Sequence, residues 1–258
     1  MPAILKVTEL SKRFGGIQAL EGVTFEVPEG HICGIIGPNG AGKTTLFNLI
    51  SGIYKPDRGT VEWQGKKLTG LPPYSVALAG VSRTFQNIHL FKGLSVLDNV
   101  KTACHHLARY GVLAALLRLP SVRAEELQLD RLARELLDLT GLSAMAGEKA
   151  ESLPYGHQRR LEIAKALAMH PSLLMLDEPA AGMNPEESLA LVDLIRAIGE
   201  RFKLTTLLIE HHMEVVMGLS DHVVVLDFGE KIAEGTPDEV QRNPQVIAAY
   251  LGEEGTAC

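Results

Sequence analysis

Residues Gly37-Pro38-Asn39-Gly40-Ala41-Gly42-Lys43-Thr44 follow the apolar run 32–36 and match the pattern GxxxxGK[ST]. A loop of this kind wraps phosphate oxygens in backbone N–H groups. Glycine is needed because side chains would block the approach and because some positions take positive φ. Lys43 is placed to reach the β- and γ-phosphates, and the Thr44 hydroxyl to ligate Mg²⁺. A helix starting at Lys43 turns its positive end towards the anion. The loop therefore demands a strand before it and a helix after it.

The rest of the chain agrees with that demand. Residues 5–10, 23–30 and 60–65 read as strands punctuated by Gly and Pro. From Leu161 the pattern alternates: a helix to Met169, a strand over 172–179, a helix over 185–202, a strand over 205–210, a helix, and a strand over 222–235. Alternation of this kind predicts a parallel, buried sheet. Between Ser95 and Leu153 the texture is helical. Ser95 and Asp98 have the spacing of a capping box, and Leu129, Leu132, Ala133, Leu136 and Leu137 mark one apolar helical face, bracketed by Pro120 and Gly141. The expected fold is an α/β three-layer core with a helical segment inserted in its middle and a frayed C-terminal tail at residues 253–258.

Composition narrows the function classes. A length of 258 residues gives one or two domains, and a net charge of −6 argues against a nucleic-acid partner held by phosphate neutralisation. Apolar residues at 46% and charged residues at 22% are ordinary for a soluble globular chain. No apolar run has the length of a membrane span, and the N-terminus lacks a signal peptide's apolar block, so a cytoplasmic protein is expected. Cys33, Cys104 and Cys258 have no CxxC spacing; Cys33 reads as a small buried hydrophobe.

A second chemical element sits at the end of the apolar run 172–176, where Asp177 and Glu178 follow. A carboxylate at a strand end opposite a phosphate loop holds Mg²⁺, directly or through water, and its neighbour polarises an attacking water. His211-His212-x-Glu214 and His105-His106 raise the question of metal. Adjacent residues on a helix do not share a face, so ligation by these side chains alone is not expected.

The order of these motifs resembles the ABC-transporter ATPases, and the resemblance covers nearly the whole chain: the phosphate loop, the inserted helices, LPYGHQRRLEIAKAL, LLMLDEP and IEHHM. Within that family YG in the signature, RRLEIA, PAAGMNPEE and YLGEE are most similar to the ATP-binding subunits of branched-chain amino-acid importers. The resemblance implies a P-loop NTPase (RecA-like) core of residues 1–90 and 160–258, with an N-terminal antiparallel β region and a helical subdomain of residues 91–159. It implies ATP and Mg²⁺ as cofactors, with Gly37 to Thr44 and Thr45 around the phosphates, and Thr44, Gln86 and Asp177 at the metal. Glu178, His211 and Lys43 would carry hydrolysis, Glu178 as base and His211 as the switch that positions the water. Phe14 matches the residue that stacks on adenine, although a core Phe at a strand end is the competing reading. Tyr155, Gly156 and His157 would meet ATP held by a second ATPase subunit.

Four positions depart from the family pattern. Leu153-Pro154-Tyr155-Gly156-His157 replaces LSGGQ, and Asn184 stands where an aspartate is usual. Subgroup variation and an impaired site are the alternatives for the signature. Pairing with itself or with a sister ATPase is open. The implied partners are integral-membrane permeases, a second ABC ATPase and, indirectly, a periplasmic substrate-binding protein, with no nucleic acid. The implied location is the cytoplasmic face of the inner membrane. The implied function is import of branched-chain amino acids, other amino acids or amides. An export ATPase of the lipopolysaccharide-transport type is the alternative, followed by a non-transport ABC ATPase. Leu90, Phe91 and Leu94 are apolar residues that either a partner helix or the core could cover.

Overall fold

The computed structural model describes residues 3–117 and 119–254; Gly255 to Cys258, the end of the expected tail, lie outside the described residues. The hairpin β1 (Ala3–Phe14) and β2 (Ile17–Pro28) is followed by β3 (Ile32–Ile36), the phosphate loop and α1 (Lys43–Ile50). Next come β4 (Arg58–Trp63), β5 (Lys66–Lys67), α2 (Pro73–Leu78) and β6 (Val81–Arg83). The inserted helices are α3 (Val96–Cys104), α4 (Val112–Leu116) and α5 (Pro120–Leu139); α6 (Tyr155–Ala168) starts ahead of the expected Leu161 and runs across the expected boundary between residues 159 and 160. The chain then runs through β7 (Leu173–Asp177), α7 (Pro185–Phe202), β8 (Thr205–Ile209), α8 (Met213–Leu219), β9 (His222–Asp227), β10 (Glu230–Gly235), α9 (Pro237–Gln241) and α10 (Pro244–Glu254).

Two sheets carry these strands. The larger has the order β10-β9-β3-β8-β7-β6, parallel from β9 to β6; the smaller, β2-β1-β4-β5, is antiparallel. Every residue of β3, β7 and β8 is buried, as a parallel sheet covered on both faces requires. Successive side chains then separate the layers. Leu173 and Met175 of β7 and Leu207 and Ile209 of β8 pack with the small sheet and α1, whereas Leu174, Leu176 and Leu208 pack with the inserted helices and α7. The three expected layers follow from this alternation.

In the insert, α5 buries Leu129, Ala133, Leu136 and Leu137, with Leu132 half-buried against the same cluster. Ser95 caps α3 by accepting from the Asp98 N–H at 3.0 Å, but the box is incomplete: the shorter Asp98 carboxylate bonds the Ser95 hydroxyl instead. Leu90 packs on the helical core, while Phe91 and Leu94 are exposed, so the two readings of this trio divide between its members.

One element departs from expectation. Residues 222–235 form a hairpin, not one strand: Asp227 pairs with Glu230, leaving Phe228 (φ 44°) and Gly229 (φ 84°) as a two-residue turn. Positive φ at both positions is what a tight hairpin needs. Phe at the first is an uncommon choice, and it hid the turn. Cys33 is buried as expected, and burial pushes its thiol well above the usual range. Among the described residues, no helix is long and apolar enough to cross a membrane.

Candidate functional site

The phosphate loop is braced from several directions. A Cβ on Gly37 (φ 148°) would lie 2.0 Å from the Leu226 carbonyl oxygen, and one on Gly42 (φ 98°) 2.6 Å from that of Ala19. Neither position admits a side chain. Gly229 of the β9–β10 turn donates its N–H to Ala41 O at 3.1 Å and accepts from Glu21 N at 2.9 Å, so loop, hairpin and small sheet meet at one place. Lys43 is buried, its Nζ donating to Gly37 O at 2.6 Å and Pro38 O at 2.8 Å.

Residues 39–45 line a cleft of about 380 Å³, with Ile17 to Ala19 of the β1–β2 hairpin on one side and Gln86 and Glu178 on the other. The structure thus gathers Asn39, Gly40, Ala41, Gly42, Lys43, Thr44, Thr45, Gln86 and Glu178 around one space, with Gly37 and Pro38 at the base of the loop. A hydroxyl from Thr44, an amide oxygen from Gln86 and the Asp177 carboxylate are all hard oxygen donors, which fit Mg²⁺.

Asp177 and Glu178 have different surroundings despite their adjacency. Asp177, 3% exposed at the end of β7, receives a hydrogen bond from Arg83 Nη2 at 2.7 Å. Burial pushes its carboxyl above the ordinary value, and the Arg83 guanidinium pulls it back. Glu178 has a left-handed backbone (φ 47°) that turns its side chain out of the strand direction. Its Oε2 accepts from Gln86 Nε2 at 2.8 Å and lies 3.9 Å from His211 Nδ1.

His211 is held by a group absent from the expected set. Glu210 is buried, with Oε1 accepting from Ala180 N at 2.8 Å and Oε2 from His211 N at 3.1 Å. It fastens the histidine turn to the segment after the two acids. His211 and His212 precede α8, so the helical-face argument against a shared metal does not apply to them. Ligand atoms of Glu210, His211 and His212 lie within 4.8 Å of one another, while Glu210 is engaged by backbone N–H groups. His105 instead bonds Tyr110 and His106 bonds Ala103 O, and these two histidines turn to different partners.

Tyr155, Gly156 and His157 form the first turn of α6, after Pro154, and do not line the phosphate cleft. The Tyr155 hydroxyl accepts from Arg159 Nε at 3.0 Å and Nη2 at 2.7 Å. Buried Arg159 also donates from Nη1 to Phe85 O at 2.9 Å and from Nη2 to Gln86 O at 2.6 Å. Tyr155 of the signature therefore holds the arginine that anchors the segment carrying Gln86. Asn184 caps α7 in a full capping box with Glu187, bonding its N–H at 2.9 Å. Phe14 lies on the β1–β2 hairpin, 40% exposed and edge-on to Tyr54 at 5.1 Å; it is not a core residue. Arg83, Arg159 and Glu210 escaped sequence reasoning because their partners lie far away along the chain.

A family model for the ABC transporter matches residues 20–181. This chain belongs to the ABC transporter family. The ABC cassette also matches, over residues 230–256, a model described as the branched-chain amino acid ATP-binding cassette transporter. The cassette is 45% identical to the high-affinity branched-chain amino acid transport ATP-binding protein BraF of Pseudomonas aeruginosa, over 97% of this chain and 98% of that one. It is 46% identical to LivG of Escherichia coli strain K12, with the same coverage. The ADP conformation of MJ1267, an ATP-binding cassette of an ABC transporter, superposes with a TM-score of 0.84 at 32% identity, covering 98% of this chain and 100% of the other. The fold is thus that of the ABC P-loop ATPases.

Proposed function

We propose that this chain is the ATP-hydrolysing motor subunit of an importer for branched-chain amino acids or related amino acids and amides. The observation that carries the reading is the meeting of residues 39–45, Gln86 and Glu178 around one cleft, with His211 beside Glu178. The importer assignment draws on the BraF and LivG relatives and on the match over residues 230–256. Residues 1–90 and 160–258 make the catalytic core in this reading, and residues 91–159 the helical subdomain.

Thr44, Gln86 and Asp177 would hold Mg²⁺, which supplies positive charge at the β- and γ-phosphate oxygens when bound. The loop N–H groups of residues 39–45 and the Lys43 ammonium bind and orient the phosphates. Phe14 offers its ring to adenine. Glu178 accepts the proton of the attacking water, with Gln86 fixing its carboxylate and His211 positioning the water from the other side.

Tyr155 in the first turn of α6 lines a second recess with Leu90, which has only Gln86 in common with the phosphate cleft and none of residues 39–45. That separation supports a head-to-tail pair, of this chain with itself or with a sister ATPase, in which Tyr155, Gly156 and His157 meet the partner's ATP. Closure of the pair passes to membrane permeases through the groove between core and insert, near residues 86–100. The chain works at the cytoplasmic face of the inner membrane, and a periplasmic binding protein feeds the permeases.

The test is ATP hydrolysis by the natural chain and by Glu178→Gln, with particle size measured in ATP. The variant is expected to lose about 10²- to 10⁴-fold in rate and to accumulate as a dimer. A variant that hydrolyses at the natural rate and stays monomeric overturns the motor assignment.

A further inference from the structure

One enclosed basic group near the cleft is not used by the mechanism above. Arg83, at the last position of β6, is 6% exposed in its side chain and touches three separate pieces of the molecule. Nη2 donates to Asp177 Oδ2 at 2.7 Å. Nη1 donates to Asn48 Oδ1 at 2.7 Å and Ser51 Oγ at 3.0 Å, both on or just after the helix that leaves the phosphate loop. Its guanidinium lies 5.4 Å from the Phe47 ring centroid and 5.1 Å from that of Phe85. Phe85 immediately precedes Gln86, and with Arg83 it forms part of the wall of a groove of about 340 Å³ between α2 and α6.

We propose that Arg83 is a positioning residue that fixes the Asp177 carboxylate for the metal and ties its position to the groove wall at Phe85. A buried charge–charge bond of this geometry holds its acceptor in one orientation. Asp177 Oδ2 is committed to Arg83, so the carboxylate presents its other oxygen. Arg83 is itself clamped from below by α1 and flanked by Phe85, so a displacement of the groove wall displaces the guanidinium and, with it, the carboxylate. A planar, forked side chain suits this task because separate nitrogens serve separate partners at once, which a lysine cannot reproduce.

The inference rests on the ATPase reading above, and its test separates the two. ATP binding is titrated calorimetrically against MgCl₂ in a Glu178→Gln parent, which suppresses turnover, and ATP binding in EDTA checks that each variant is folded. Arg83→Gln is expected to raise the Mg²⁺ concentration for half-maximal binding about tenfold, and Arg83→Lys by less, with binding in EDTA unchanged. Phe85→Ala is expected to raise it too, but only while Arg83 is present, so that the two substitutions are non-additive. Variants that match the parent, or a Phe85→Ala effect that persists in Arg83→Gln, overturn the inference alone. A parent whose ATP binding ignores Mg²⁺ overturns the cleft reading and this inference together.

Discussion

Gln86 donates from Nε2 to Glu178 Oε2 across 2.8 Å, joining the segment that enters the helical insert to the proposed base. A hydrogen bond to a charged group contributes about 1.5–3 kcal/mol, mostly through the orientation it imposes. Gln86→Ala is therefore expected to lower kcat for ATP hydrolysis about ten- to hundredfold while nucleotide binding in EDTA stays intact. Steady-state rates beside calorimetric binding check it; an unchanged kcat removes the orienting role.

Gly37 has the least room of the loop positions. With its virtual Cβ 2.0 Å from Leu226 O and φ at 148°, Gly37→Ala must push β3 and β9 apart or distort the loop. A loss of about 3 kcal/mol or more is expected. Denaturant unfolding measures it, and a loss below about 1 kcal/mol would show that the strands yield cheaply.

Asn184 lacks the charge of the usual aspartate but keeps its oxygen acceptor, and that oxygen does the capping that α7 requires. Asn184→Ala is expected to cost about 1 kcal/mol, or about 2–4 °C in Tm. Asn184→Asp keeps the acceptor and adds a charge that favours the helix N-terminus, so its Tm should match or exceed that of the natural chain. Thermal unfolding of both variants decides between a capping role and a purely functional one.

Glu162 on α6 tests the sign of a buried charge. Its Oε1 accepts from His89 N at 2.6 Å, whereas Oε2 is buried without a hydrogen bond and 3.9 Å from Arg159. Burial raises its pKa, with the His89 N–H and nearby Lys165 opposing. The folded protein therefore bears a penalty for the ionised carboxyl at alkaline pH, relieved as pH falls through the raised folded value towards the ordinary 4.5. Glu162→Gln is expected to melt higher than the natural chain in mildly alkaline buffer, with the gap narrowing as pH falls. Parallel melting curves at all pH values would sink the idea.

Local chemistry was legible and long-range pairing was not. The phosphate loop could be read because its residues are contiguous and their spacing is set by the phosphates. The apolar runs before Gly37 and Asp177 could be read because a doubly covered sheet leaves them no polar positions. Arg83, Arg159 and Glu210 carry no local mark: the two arginines are charges within elements, Glu210 directly follows β8, and only the fold brings Asp177, Gln86 and Ala180 to them. Tyr155 was legible as a departure but not in its effect, since its hydroxyl is used four residues along α6. The turn at Phe228 was hidden because a bulky residue occupies a left-handed position.

The bond from Gly229 N to Ala41 O ties the phosphate loop to residues that follow it by nearly 190 positions. A ribosome releases the phosphate loop before β9, the strand beside β3, and before the turn that supports Ala41. The framework around the loop is complete only once β9 has paired beside β3. A chain cut before residue 222 keeps every residue of the loop and lacks the neighbours that hold it open. The support of the loop is thus completed by residues made well after the loop itself.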